Sequence, residues 1–197
     1  MNELWQIITD ALAPEKYALT QSGQFPRQAS VLALITDSVN PELIFTLRTK
    51  HLSHHAGEVC FPGGMWEPQD TSLLASALRE THEEIGVAHS MIDILGALPI
   101  RPTKSGTLVR PFVGRIPAGA RFTLNHHELE TLFTVPLEAF RHGLQVRTDI
   151  FERDGVQFRI PAYHYQGYEI WGFTAGVTAE LLKPLSKNFN NRSEIHK

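Results

Sequence analysis

Glu80, Glu83 and Glu84 stand at positions i, i+3 and i+4. On a helix, at about 100° per residue, that spacing brings all three carboxylates onto one stripe of the surface. Like charges held so close repel one another unless a cation lies among them. Hard carboxylate oxygens suit Mg2+ or Mn2+, and Mg2+ commonly binds through one or two carboxylates while sharing the phosphates of a substrate. Arg79 precedes the stripe, where its guanidinium can pair with and orient one of the acids. The pattern suggests phosphoryl chemistry, the alternative being a solvated acidic helix face.

The stripe needs a helix, and the helix needs a fixed start. Helical periodicity runs over residues 71–85 until Gly86 stops it, and Leu74, Leu78, Thr81 and Ile85 fall nearly opposite the acids. That face should pack on a sheet while the carboxylates point into a cleft. A short strand over residues 58–61 leads into Pro62, Gly63 and Gly64, and a loop follows to about Asp70. Before it, residues 30–36 and 43–47 read as paired buried strands around a turn at residues 37–41. Strands are also expected over residues 91–100 and 109–116, a hairpin turns at Asp154 and Gly155, and a helix closes the domain over residues 171–182. The mixed order of strands and helices argues for an α/β or α+β sandwich. Residues 3–12 form an amphipathic helix ended by Pro14, an N-terminal appendage, and after Pro184 a polar tail frays.

The chain has 197 residues, 42% of them hydrophobic, which suits one domain with a core that needs no disulfides. A net charge of −3 gives no reason to expect nucleic acid or an anionic membrane as the main partner, so any anion site must be local. The single cysteine, Cys60, cannot form an internal disulfide, and the N-terminus lacks the pattern of a signal peptide, which points to the cytoplasm. No apolar stretch approaches the roughly 20 residues of a membrane-spanning helix. A homodimer is a possible assembly.

Other residues admit two readings. Arg48 can fork onto phosphate oxygens or close a surface ion pair. Gly57, Gly63 and Gly64 can let backbone approach a bulky ligand or simply make turns. His51, His54 and His55 lack zinc-site spacing and read as a solvated or phosphate-facing cluster. Cys60 reads as packing rather than nucleophile.

The segment from Gly64 to Val87 resembles the Nudix box: Gly, five residues, Glu, seven residues, then Arg-Glu-apolar-x-Glu-Glu-x-Gly-apolar. Gly64, Arg79, Glu80, Glu83, Glu84, Gly86 and Val87 fit it. The middle departs from the pattern: Asp70 takes the place of the early Glu, eight residues separate it from Arg79, and Thr81 replaces an apolar residue. The resemblance implies an αβα sandwich with a mixed sheet over residues 27–184, flanked by a lead-in over 1–26 and a tail over 185–197. It also implies metal ligation by Glu80, Glu83, Glu84 and the Gly64 carbonyl, with Mg2+ or Mn2+ as the ion. Glu128 occupies a place where such enzymes often carry a loop carboxylate acting as extra metal ligand or general base; a plain exposed glutamate is the alternative.

Upstream, the run from Thr46 through Arg48, Gly57, Val59 and Phe61 to Gly64 is similar to the motif that precedes the box in coenzyme A diphosphatases. Ser53 stands where that pattern has an arginine. The likeness extends from Arg27 through the Arg110–Gly114 segment to Gly176. It implies hydrolysis of the diphosphate in coenzyme A or an acyl derivative, giving phosphopantetheine and adenosine 3′,5′-bisphosphate, with Arg48, Gly57, Gly63 and Gly64 at the substrate. ADP-ribose or another nucleoside diphosphate derivative is the rival substrate, and a nucleotide-sensing domain without turnover is the rival class. If the Ser53 substitution removes a phosphate contact, His51, His54, His55, Arg101 and Lys104 are the cations that could compensate.

Overall fold

In the computed structural model, which describes residues 3–14, 27–52, 55–153 and 155–193, the apolar run after Arg27 becomes the central strand. The elements are α1 (Glu3–Asp10), β1 (Gln28–Asp37), β2 (Glu42–Arg48), β3 (Val59–Cys60), β4 (Gly63–Met65), α2 (Leu73–Ile85), β5 (Asp93–Ala97), β6 (Arg101–Pro102), β7 (Leu108–Pro117), β8 (Leu129–Pro136), β9 (Gln145–Arg153), β10 (Val156–Tyr165), β11 (Tyr168–Ile170) and α3 (Gly172–Ser193). Eight strands form a mixed sheet in the order β3-β2-β1-β7-β5, with β4 beside β1, β6 beside β7 and β8 beside β2. β1 and β7 run parallel from Gln28 opposite Leu108 to Asp37 opposite Pro117. The remaining pairings are antiparallel. Strands β9 to β11 make a separate antiparallel sheet.

Both faces of β1 are covered, so its sequence is a continuous apolar run instead of an alternation. Leu32 and Leu34 join Phe112 of β7 and Leu73, Ala77 and Ile85 of α2 in one core. Ala33 and Ile35 join Val113 and, from α1 and α3, Trp5, Ile8, Leu181 and Leu185 in the other. The result is the expected αβα sandwich around a mixed sheet. Trp5 is 3% exposed and Ile8 1%. The N-terminal helix is therefore part of this core and does not stand apart as an appendage.

The ends of α2 are fixed chemically. Ser72 caps its start by accepting from the Ala75 N–H at 3.0 Å. Gly86 takes the left-handed conformation at its end, φ 72°, and its N–H returns to the His82 carbonyl. The helix thus begins two residues later than its periodicity suggests, because Ser72 spends its side chain on the cap. Its packing face is also rotated from the expected one: Leu73, Ala77, Thr81 and Ile85 are buried, whereas Leu74 and Leu78 are only partly covered. Thr81 tolerates full burial because its hydroxyl donates to the Ala77 carbonyl at 2.7 Å.

Several expected bounds shift. The strand expected over 58–61 is only Val59–Cys60, since Pro62 interrupts it before β4. The strand expected over 91–100 is Asp93–Ala97, preceded by a 3-10 turn at His89–Met91. The expected hairpin is present, with Val156 opposite Arg153 and Gly155 at φ 74°, and Asp154 lies outside the described residues. The last helix does not stop before Pro184 but continues through it to Ser193. Leu181 and Leu185, 2% and 3% exposed, anchor the turns on either side and offset the backbone hydrogen bond that proline removes. Residues 194–197 of the expected tail lie outside the described residues. No helix among the described residues is long and apolar enough to cross a membrane.

Candidate functional site

The three glutamates of α2 share a stripe but not an environment. Glu84 is on the sheet side, with its side chain 2% exposed, whereas Glu83 is 53% exposed. Glu84 Oε2 accepts the Gly63 N–H at 3.1 Å, and its Oε1 accepts from Arg48 Nη1 at 3.3 Å. Burial pushes its carboxyl up to about 8, against the opposing pull of the Gly63 N–H and Arg48 and with the added push of the Glu80 and Glu128 charges. Glu80 is also raised, by burial first, then by the charges of Glu83 and Glu128 against Arg79.

Arg79 organises the outer half of the stripe. Its Nη1 donates to Glu80 Oε1 and to Glu83 Oε2, each at 3.0 Å. Its Nε and Nη2 fork onto Asp70, each at 3.0 Å, and Nη2 also reaches the Met65 carbonyl. Asp70 is a structural anchor: it also accepts from Ser76 Oγ at 2.6 Å and from the Glu67 N–H at 3.0 Å. The Arg79 fork holds its carboxyl down at about 2. The acid that departs from the box pattern in type and spacing thus ties the glycine-rich loop to the helix.

β4 supplies the wall opposite the helix. A Cβ on Gly64 would stand 2.4 Å from Glu80 Oε1, so the missing side chain is what admits that carboxylate to the loop backbone. Gly63 is constrained otherwise, with φ 149° and its hydrogen facing the Ser30 carbonyl and the Val31 Cα. Gly57, at φ 70°, has the contacts of a turn residue, its N–H donating to the Arg48 carbonyl at 3.2 Å.

Arg48 comes to the site from β2. The pairing of β2 with β8 slips between Leu47 and Arg48, an irregularity that re-aims the last side chain of the strand. Among the described residues its buried Nε has no hydrogen-bond partner. Glu128 immediately precedes β8. Asn125 Nδ2 donates to its Oε1 at 3.3 Å, and the Thr49 N–H to its carbonyl at 2.9 Å. The same loop finishes α2, because Thr123 and Asn125 donate their N–H groups to the carbonyls of Ile85 and Glu84. The far end of the helix thereby positions Glu128, whose charge acts on both Glu80 and Glu84.

The histidines are mostly engaged elsewhere. His51 Nε2 lies 3.1 Å from the His127 carbonyl and His55 Nδ1 2.7 Å from Glu58. Arg101 pairs with Glu180 of α3 at 2.9 Å. Ser53 and His54 lie outside the described residues. Burial pushes the Cys60 thiol up to about 11, so it is no thiolate near neutrality, as its packing role requires.

The donors fit a hard divalent cation in kind: carboxylates that raise one another across a glycine wall whose backbone one of them touches. Among the described residues no three His, Cys, Asp or Glu side chains converge as a ready metal cage. The carboxylates are instead paired with Arg79, Arg48 and the Gly63 N–H.

The NUDIX domain family model matches residues 26–153. The uncharacterized Nudix hydrolase NudL of Escherichia coli O7:K1 is 39% identical over 156 residues, 79% of this chain and 81% of that one. NudL of Klebsiella pneumoniae strain 342 is 38% identical over 169 residues, 85% of each chain. Among solved structures, a MutT/nudix family protein from Enterococcus faecalis superposes with a TM-score of 0.56 at 14% identity, over 87% of this chain and 66% of that one. The MutT protein of Methanosarcina mazei Go1 gives 0.54 at 18% identity, over 85% and 99%. At these identities the two structures speak for the fold alone.

Proposed function

Because the chain belongs to the Nudix hydrolase family, whose members use divalent metal ions to act on small nucleotide derivatives, we propose that it hydrolyses the diphosphate of coenzyme A or an acyl-coenzyme A. The products are phosphopantetheine and adenosine 3′,5′-bisphosphate. The observation that carries this reading is the contact between Arg48 and Glu84 at 3.3 Å. It joins the box glutamates to the upstream segment, whose pattern is similar to that of coenzyme A diphosphatases.

Glu80, Glu83, Glu84 and the Gly64 carbonyl are the groups that would hold Mg2+ or Mn2+. Bound there, such an ion supplies neutralisation of the diphosphate and a more acidic water. Arg48, with Nη1 on Glu84, keeps Nη2 for a phosphate oxygen. Arg79 holds Glu80 and Glu83 in place while Asp70 holds Arg79. Glu128, held by Asn125, would take the proton of an attacking water. No covalent enzyme intermediate is needed.

A parallel assay of coenzyme A, ADP-ribose and NADH with Mg2+ and with Mn2+, with product identification, tests the reading. Preferential release of adenosine 3′,5′-bisphosphate from coenzyme A supports it. Preferential cleavage of ADP-ribose assigns the rival substrate, and tight binding without product assigns a sensor.

A further inference from the structure

Arg110 sits on the α2 face of the sheet and, among the described residues, has no counter-ion. In β7 it lies opposite Ser30 of β1, which lies in turn opposite Gly64 of β4. Side chains at these positions face α2, because Leu32 and Phe112, two residues further along the same paired strands, belong to the core under that helix. The row therefore leads from Arg110 through Ser30 to the glycine against which Glu80 rests.

The only side-chain hydrogen bond of Arg110 among the described residues runs from Nη1 to the Leu98 carbonyl at 3.1 Å. Among the described residues its buried Nε has no partner, nor has the Ser30 hydroxyl beside it. Burial alone lowers the guanidinium pKa, with no carboxylate acting to restore it. A half-buried cation of this kind is incomplete until an anion arrives. Three other arginines each have a carboxylate: Arg48 has Glu84, Arg79 has Asp70 and Arg101 has Glu180.

We infer that Arg110 binds a phosphate monoester of the substrate, separate from the diphosphate that is cut, and that it selects for substrates carrying one. Two features separate this phosphate from the scissile group. Arg110 is two strands from Gly64, roughly 10 Å at the usual inter-strand spacing. Its Nη1 is also turned toward Leu98, on the β5 side of β7 and away from the glutamates. The planar fork retains Nη2 for a phosphate oxygen, a geometry lysine lacks. The inference rests on the coenzyme A reading, since coenzyme A carries such a monoester on its ribose and ADP-ribose does not.

The test compares coenzyme A with 3′-dephospho-coenzyme A in the wild type, Arg110→Met and Arg110→Lys, with thermal melts to confirm folding. The wild type should prefer coenzyme A in kcat/KM by tenfold or more. Arg110→Met should lose that preference by falling on coenzyme A alone, and Arg110→Lys should keep part of it. Equal losses on both substrates, or no loss, overturn the inference. Calorimetry with adenosine 3′,5′-bisphosphate and AMP reads the site without turnover: the wild type should bind the bisphosphate tenfold more tightly, and Arg110→Met should bind both alike. Hydrolysis of coenzyme A with no preference for the bisphosphate removes the role of Arg110 and leaves the activity standing. Arg110-dependent binding of the bisphosphate without coenzyme A hydrolysis removes the activity and leaves the site.

Discussion

The Glu80 carboxylate occupies the space that a side chain on residue 64 would fill: a Cβ on Gly64 would stand 2.4 Å from Oε1 of Glu80 and 2.5 Å from its carboxyl carbon. A Cβ on the neighbouring Gly63 would meet backbone instead, 2.3 Å from the Ser30 carbonyl oxygen. Adjacent glycines thus serve different ends, one the site and one the sheet.

Gly64→Ala should displace the end of a flexible side chain and leave the fold intact. Turnover should fall about 100-fold, on the scale expected when a catalytic group is misplaced by about 1 Å, while the melting temperature moves only a few degrees. Gly63→Ala should destabilise by about 3 kcal/mol or more, since both the positive φ and the backbone clash oppose it. Melts and kinetics of the two variants check the contrast.

Glu84 imposes a pH dependence on the metal-free protein. Its folded pKa, about 8, lies above the ordinary 4.5, so the native state holds the proton more tightly than the unfolded chain. Its contribution is present below 4.5 and is lost as pH rises toward 8, with a slope of at most about 1.4 kcal/mol per pH unit. Urea melts in EDTA should show wild-type stability falling across this window relative to Glu84→Gln. Parallel profiles would contradict the placement of Glu84.

Asp70 has the opposite sign. Its folded pKa of about 2 lies below the ordinary 3.8, so the stability it contributes is present above 3.8 and lost as pH falls toward 2. Asp70→Asn should cost about 1.5–3 kcal/mol, the range for hydrogen bonds to charged groups. It should also lower turnover by freeing Arg79, which equilibrium unfolding and kinetics at neutral pH would measure.

Arg48→Ala should cost about 1.5–3 kcal/mol in transition-state stabilisation on coenzyme A, the worth of a charge-assisted phosphate contact. Arg48→Lys should restore only part of it. Unchanged kcat/KM in the alanine variant would reduce Arg48 to a structural partner of Glu84.

Helix α2 and its acids were legible because the spacing of Glu80, Glu83 and Glu84 is a local property of one element. The difference between Glu83 and Glu84 was not. It depends on Arg48 and on the Gly63 amide, which arrive 36 and 21 residues away in sequence. Periodicity put Leu74 and Leu78 on the buried face with Thr81 and Ile85, whereas Leu73 and Ala77 take those places, because the exact face is set by how the sheet packs on the helix. Asp70 looked like a defect of the box, and only the fork from Arg79 reveals it as an anchor. Arg110 was legible only as part of the Arg110–Gly114 segment of the family likeness, since its lack of a carboxylate partner among the described residues is visible only in three dimensions.

The central claim is that the α2 carboxylates perform metal-dependent hydrolysis at this cleft. Single-turnover cleavage of coenzyme A by Glu83→Gln and Glu84→Gln at saturating Mg2+ tests it most directly, since a neutral amide is a poorer ligand and cannot balance the charge of the ion. Both proteins should fold normally while their rates fall by orders of magnitude. Near-normal rates in both variants would contradict the claim and remove the helix from the chemistry.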